Sequence, residues 1–269
     1  MKYTWQISRA KRLIIVTTPG HVGSSTTYRS LLTGNWERGT RIYDIHSLDE
    51  RFNNTSGIDS VSARHVLQEV LRRALVKKKL DKKELVIITL FRDPVARALG
   101  GLFQNPKVFL EGWNNKRSNA ETLQIVQDKM QKSNFLQSTV DWQYRFYLRE
   151  LKQYYSFDLV QKDYHEKQPG FISFHQQRRT LIVFALEFLD ELLIPKIETY
   201  LNTHIQLKYF NTHSQRENRD SYQYCKEKLK LDNQILSKIY KNSILELIYP
   251  SKEIAAYYNN WSENPYDKK

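Results

Sequence analysis

Three short runs rich in β-branched residues mark the first third of the chain. Leu13-Ile14-Ile15-Val16-Thr17-Thr18 stops at Pro19-Gly20, Thr40 to His46 follows, and Leu85-Val86-Ile87-Ile88-Thr89-Leu90-Phe91 stops at Arg92-Asp93-Pro94. Each is followed by a turn and a helical pattern, and they read as buried strands of a parallel sheet. Between the second and third, Val66, Leu67, Val70, Leu71, Ala74 and Leu75 recur at helical spacing, which predicts a helix over about Val61 to Lys79. Strand, helix and strand in alternation predict an open α/β sheet.

Further along, Asp141 to Tyr155 reads as a helix, and Phe157-Asp158-Leu159-Val160 and Gly170 to Phe174 read as strands around a turn region, His165 to Pro169. Thr180 to Leu189 reads as another central strand. Asp190 to Asn202 reads as a helix, with Pro195 predicting a kink or boundary inside it. From Ser221 onward the pattern is mainly helical. No internal repeat, low-complexity tract or linker interrupts it, so the expectation is one domain over residues 1–269.

Charge narrows the partners. The 269 residues carry 42 Lys and Arg against 29 Asp and Glu, a formal net charge of +13. That excess excludes an acidic disordered regulator and points to a polyanion: nucleic acid, an anionic membrane surface or a phosphorylated small molecule. Lys77-Lys78-Lys79 with Lys82-Lys83, and Arg178-Arg179, read as solvated faces. The single Cys225 excludes a disulfide scaffold and a Cys-based zinc knuckle. No run reaches the length of a membrane span, and Leu13 to Val16 is too short for a signal-peptide core. The expected location is cytoplasmic, unless an anchor has been trimmed away.

Only 9 glycines occur, so a cluster of them marks a backbone need. One cluster lies in Thr17-Thr18-Pro19-Gly20-His21-Val22-Gly23-Ser24-Ser25-Thr26-Thr27-Tyr28, between the first strand and an apparent helix. A strand turning into a helix aims unpaired N–H groups at one point, where the helix dipole is positive. Gly20 and Gly23 admit a close ligand, and Ser24, Ser25 and Thr26 add hydroxyls. The plainer reading makes Ser24 or Ser25 an N-cap. The run lacks the Gly-Lys-Ser/Thr ending of a magnesium-dependent nucleoside triphosphatase. After the third strand, Arg92 is placed to fork onto a phosphate, Pro94 suits a first helical turn, and Asp93 is placed to cap that helix or orient Arg92.

With these two loops the sequence resembles the sulfotransferases that use 3′-phosphoadenosine 5′-phosphosulfate, most of all their capsular polysaccharide synthesis branch. Thr18-Pro19-Gly20-His21-Val22-Gly23-Ser24-Ser25 resembles the family's 5′-phosphosulfate loop, and Phe91-Arg92-Asp93-Pro94-Val95-Ala96-Arg97 its 3′-phosphate motif. The likeness extends through Tyr155 to Val160, Gly170 to Ile172, Leu181 to Leu189, Tyr240 to Tyr249 and Glu253 to Trp261. The resemblance implies a P-loop-like open parallel sheet flanked by helices, with a mainly helical C-terminal part. It implies that Gly20, His21, Val22, Gly23, Ser24, Ser25, Thr26, Arg92 and Gly100 bind the donor.

Two positions depart from the family. His21 stands where the family usually has a Lys that assists the leaving group, and Gly100 stands where it usually has a Ser on the 3′-phosphate. His46, at the end of the second strand, is the candidate base, with Asp44, Asp49 and Glu50 as weaker alternatives. The expected acceptor is a hydroxyl, most readily of a carbohydrate. Trp36, Trp113 and Trp142 are candidate platforms for sugar rings, and the segments Phe103 to Asn119 and Asp163 to Pro169 candidate walls of an acceptor pocket. No metal is implied, and no groove-reading motif supports a nucleic-acid binder. The rival reading keeps the fold without turnover, as a protein that binds a nucleotide or glycan.

Overall fold

The computed structural model describes residues 2–20, 23–45, 48, 63–104, 106–110, 113, 117–132, 134–161, 163–210 and 218–263. The first half runs α1 (Lys2–Arg9), β1 (Arg12–Thr17), α2 (Ser24–Leu31), β2 (Thr40–Ile45), α3 (Ala63–Val76), β3 (Glu84–Phe91), α4 (Pro94–Gln104), α5 (Pro106–Phe109), α6 (Asn119–Lys132) and α7 (Phe135–Arg145). A π-helical turn, Phe146–Glu150, leads into α8 (Leu151–Tyr155), then β4 (Glu166–Gln168), β5 (Phe171–Gln176), β6 (Arg179–Ala185) and α9 (Leu189–Leu201). The chain ends in α10 (Arg219–Lys228), α11 (Asn233–Tyr240), α12 (Ser243–Ile248) and α13 (Ser251–Trp261). Packing divides it into two units, Met1–Phe91 with Tyr144–Phe210, and Arg92–Gln143 with Asn211–Lys269.

The first unit is an α/β fold built on a six-stranded sheet of order β2-β1-β3-β6-β5-β4. The pairs β1–β2, β1–β3 and β3–β6 are parallel, and β4–β5 and β5–β6 antiparallel. Leu13, Ile14, Ile15 and Val16 of β1 are fully buried, which is why both faces of that strand are apolar. Each such side chain contributes about 1.5–3 kcal/mol by leaving water. Ile14, Val16, Val86, Ile88, Leu90, Ile182 and Phe184 share one face and pack with Leu31 of α2 and Leu189, Leu193, Ile197 and Leu201 of α9. Right-handed crossovers run from β1 outward to β2 through α2, and back across β1 to β3 through α3, so α2 and α3 cover opposite faces.

The second unit is helical, and a buried carboxylate organises it. Asp93 is 2% exposed and precedes α4. Its Oδ2 accepts from the Ala96 N–H at 3.1 Å, capping the helix as the sequence suggested, and from Trp261 Nε1 at 2.7 Å, while its Oδ1 accepts from the Tyr240 hydroxyl. Burial raises the Asp93 carboxyl above the usual range, against the pull of Tyr240, Trp261, the Ala96 N–H and Arg92. Arg97, also buried, donates to the Thr139 carbonyl at 3.1 Å and stacks over Trp142 at 4.8 Å. The N-terminus of α4 thus ties together α7, α11 and α13.

Several expected boundaries move. Phe157 to Val160 is not a strand: Ser156 closes α8 at a φ of 68°, and Asp158 takes the Val160 N–H at 3.0 Å into a 3₁₀ turn, Leu159–Gln161. The expected turn His165 to Pro169 contains β4, a short charged edge strand of the kind that resists further pairing. The strand expected to run to Leu189 ends at Ala185, where a 3₁₀ turn, Leu186–Phe188, leads into α9. Helix α9 crosses Pro195 without stopping. The helix before β3 ends at Val76, leaving Lys77 to Lys79 in the turn after it. Trp142, a candidate platform for a sugar ring, lies in α7 with the Arg97 guanidinium over its ring.

Two substitutions test this account. Pro169-Gly170 joins β4 to β5, with Gly170 at a φ of +73° and its Cβ position 2.4 Å from Phe188 Cγ. Gly170→Ala should cost about 2–4 kcal/mol, from left-handed strain plus overpacking, in urea unfolding. Asp93→Ala strands three buried donors and should cost about 3–5 kcal/mol by the same measurement.

Candidate functional site

In the order β2-β1-β3 the chain reverses direction across the sheet at β1, so the β1/β3 crevice is the switch point of the fold. Open α/β sheets bind ligands outside the carboxyl ends of their strands at such points. The loop after β1 opens there. Thr17 and Thr18 are fully buried, and Thr18 Oγ1 accepts from the Gly20 N–H at 3.4 Å. Gly20 and Gly23 have φ values of 80° and 84°, a conformation that costs other residues strain. A Cβ on Gly23 would also lie 2.5 Å from Leu186 Cδ1. His21 and Val22, between the two glycines, lie outside the described residues.

Gly23 itself is the N-cap of α2, with no side-chain cap, so neither Ser24 nor Ser25 plays that part. Its carbonyl accepts from the Thr27 N–H at 3.1 Å, the first bond of the helix. Ser24, Ser25 and Thr26 form the first turn, and their N–H groups have no acceptor among the described residues. Unspent donors at the positive end of a helix are what an anion site requires. The Thr26 hydroxyl is engaged elsewhere. It donates to the Phe210 carbonyl at 3.3 Å and accepts from the Phe210 N–H at 3.2 Å. Ser30 and Thr33 likewise take the N–H groups of Lys208 and Gln206, at 2.9 and 2.7 Å. A row of hydroxyls at helical spacing thus binds alternate residues of one extended segment to α2.

At the end of β2 stands a residue that the sequence reading passed over. Ile45 ends the strand, and His46, Ser47, Asp49 and Glu50 lie outside the described residues. Leu48 is buried and donates its N–H to Glu150 Oε1 at 2.7 Å. Glu150 is 1% exposed and closes the π-helical turn. In that turn Tyr147 donates its hydroxyl to the Leu90 carbonyl and packs 4.7 Å from the Phe91 ring. Burial pushes the Tyr155 hydroxyl well above the ordinary phenol range, the Glu150 charge adds to this, and the Thr17 side chain opposes it. The sequence did hold a signal: Phe146, Tyr147, Glu150, Leu151 and Tyr154 share one helical stripe, and Glu150 is its lone charge. Single π turns inside α-helices gather at functional sites.

In the second unit, Arg92 is half-buried. Its Nη2 donates to the Tyr222 hydroxyl at 3.1 Å, and its carbonyl accepts from Gln143 Nε2 at 3.2 Å. Tyr222 was not anticipated; it stacks edge-on against Phe103 at 5.5 Å. Gly100 is buried in the interior of α4, where a backbone N–H is spent on the helix ladder. Trp113 packs against Phe103 at 5.8 Å, and Trp36 Nε1 donates to the Leu31 carbonyl at 2.7 Å in the first unit. Among the described residues no group of three His, Cys, Asp or Glu side chains gathers to hold a metal, and no helix is long and apolar enough to cross a membrane.

No curated protein and no solved structure matches this chain. A family model, NKWYS, described as "Putative capsular polysaccharide synthesis protein", matches residues 116–250. The match takes in Glu150, Tyr155 and Tyr222 and leaves the loops after β1 and β3 outside it. With half of its length inside that match, the chain belongs to the NKWYS family.

Proposed function

We propose that this protein is a sulfotransferase that moves a sulfuryl group from 3′-phosphoadenosine 5′-phosphosulfate to a carbohydrate hydroxyl. The observation that carries the reading is the loop after β1: two left-handed glycines opening a helix whose first-turn N–H groups are unspent, at the switch point of the sheet. In this reading the loop is P-loop-like, and the N–H groups of Ser24, Ser25 and Thr26 hold the 5′-phosphosulfate. Arg92, bonded to the last residue of β3, takes the 3′-phosphate with its guanidinium fork. A carbohydrate acceptor is compatible with the match to a capsular polysaccharide synthesis family.

The transfer forms a bond from the acceptor oxygen to sulfur and breaks the bond from sulfur to the 5′-phosphate oxygen. His46 takes the acceptor's proton, and adenosine 3′,5′-bisphosphate leaves. Positioning and charge stabilisation do most of such work, as in phosphoryl transfer. His21 in place of the family's Lys gives the leaving phosphate a weaker, conditionally charged donor. That substitution favours one rival, a relative that keeps the nucleotide and has lost turnover.

Calorimetric titration with adenosine 3′,5′-bisphosphate, with ATP and magnesium in parallel, tests the site. Micromolar binding of the bisphosphate alone is expected, and its absence sinks the reading. Arg92→Ala should weaken that binding by about 1.5–3 kcal/mol, the scale of a hydrogen bond to a charged group. His46→Ala should lower turnover about 10²–10⁴-fold while leaving bisphosphate affinity almost unchanged. Retained turnover moves the base to a carboxylate, and bisphosphate binding without any native turnover selects the inactive relative.

A further inference from the structure

The opposite edge of the sheet carries a separate feature. Strands β1, β2, β3 and β6 all enter from one side, with Arg12 in register with Thr40 and Glu84, and Leu85 with Arg179. Around that amino-terminal edge lie the end of α1, the turn after α3 and the hairpin before β6. Lys83 Nζ donates to the Ser8 carbonyl at 2.8 Å and also to the Ala10 carbonyl, and Arg178 Nη1 donates to the Lys82 carbonyl at 2.8 Å, so these pieces share one surface. Lys11, Lys77, Lys78, Lys79, Lys82 and Arg178 are exposed there. None of the six has a carboxylate within ion-pairing distance among the described residues, whereas the neighbouring Arg12 and Arg179 are paired with Glu84 and Asp81.

Two exposed apolar side chains belong to the elements that form this edge. Trp5 of α1 is 53% exposed, with the Arg9 guanidinium 4.4 Å above its ring, and Val76 at the end of α3 is 63% exposed. Lys78 adds a conformational sign. It adopts a φ of 53° just past a helix end, where glycine is the favoured residue. A charge is held there against local preference.

We propose that this edge docks on a membrane surface rich in anionic phospholipid. Cations near such a surface are attracted to its phosphates, and an exposed Trp beside them enters the headgroup layer. A soluble polyanion would use the cations and leave Trp5 and Val76 without a role. Docking in this way turns the carboxyl edge of the sheet away from the lipid, about 20 Å off by the length of β1. The proposal stands on the amino-terminal edge alone and does not depend on the transfer reaction.

The test sediments the full chain with vesicles of phosphatidylcholine, alone or with about one-third phosphatidylglycerol. Binding is expected only to the anionic vesicles, and should disappear in molar salt. Replacing Lys77, Lys78 and Lys79 by Gln should weaken it roughly a hundredfold, from about 1 kcal/mol per charge, with the melting temperature unchanged. Trp5→Ala should weaken it several-fold. Equal binding to both vesicle types, or native binding by the triple variant, overturns the proposal. Binding that ignores Trp5→Ala and is matched by immobilised dextran sulfate also overturns it, and assigns the edge to a soluble polyanion.

Discussion

The pairing of β1 with a parallel strand on each side is the constraint on which the rest of the molecule depends. A strand in that position is covered on both faces and on both edges, so Leu13 to Val16 must be apolar throughout. Parallel pairing forbids a tight hairpin, so each neighbour must be reached by a helical crossover. Crossovers of one hand, leaving β1 in one direction and recrossing it in the other, put α2 and α3 on opposite faces. The carboxyl end of β1 is therefore the point where the chain turns into α2. That is where Gly20, Gly23 and the uncapped first turn of α2 lie. The position of that loop follows from strand order, before any ligand is considered.

Each unit uses a buried carboxylate to fix the backbone just past a strand. Glu150 holds the Leu48 N–H beyond β2, and Asp93 holds the Ala96 N–H beyond β3. A carboxylate removed from water is costly unless its oxygens are met by donors, and a buried N–H without an acceptor is costly in turn. Each arrangement satisfies both requirements together, so losing either partner costs more than the bond itself is worth. The loops after β2 and β3 are thereby held at one point each, while the loop after β1 relies on glycine geometry. Within that loop the Thr18 hydroxyl takes the Gly20 N–H, and the two left-handed glycines set the rest of its course.

Much of the sheet was legible because buried parallel strands leave an unbroken apolar run in one dimension. β1, β2 and β3 were placed to within a residue or two, and β5 nearly so. The failures occurred where an apolar run served two elements in succession. From Arg179 to Leu201 strand, 3₁₀ turn and helix follow directly, and the apolar Leu186, Phe188 and Leu189 on either side of Glu187 masked the boundary at Ala185. β4 is only three residues and polar, and its pairing comes from the Pro169-Gly170 turn rather than from its own pattern. The π turn before α8 was hidden because one extra residue barely changes helical periodicity. Arg92 and the two glycines were legible because their chemistry is local. Glu150 and Tyr222 owe their interest to partners far away in sequence, Leu48 and Arg92.

Six exposed cations with no carboxylate partner among the described residues gather at the amino end of the sheet. At physiological salt the Debye length is about 8 Å, and β1 alone separates the edges by about 20 Å. Lysines at the amino edge therefore contribute little to holding an anion at the carboxyl edge; they act on distant encounter at most. The loop after β1 must bind with what it has locally. A helix dipole offers about 0.3–1 kcal/mol when exposed and up to about 2 kcal/mol when partly buried, and each hydrogen bond to a charged group about 1.5–3 kcal/mol. Under the proposed function, several N–H groups acting together suffice for a phosphate without a lysine, so His21 bears on the leaving group more than on affinity. The cations of the far edge are not needed for this. Their concentration beside Trp5 and Val76 calls for a partner of its own.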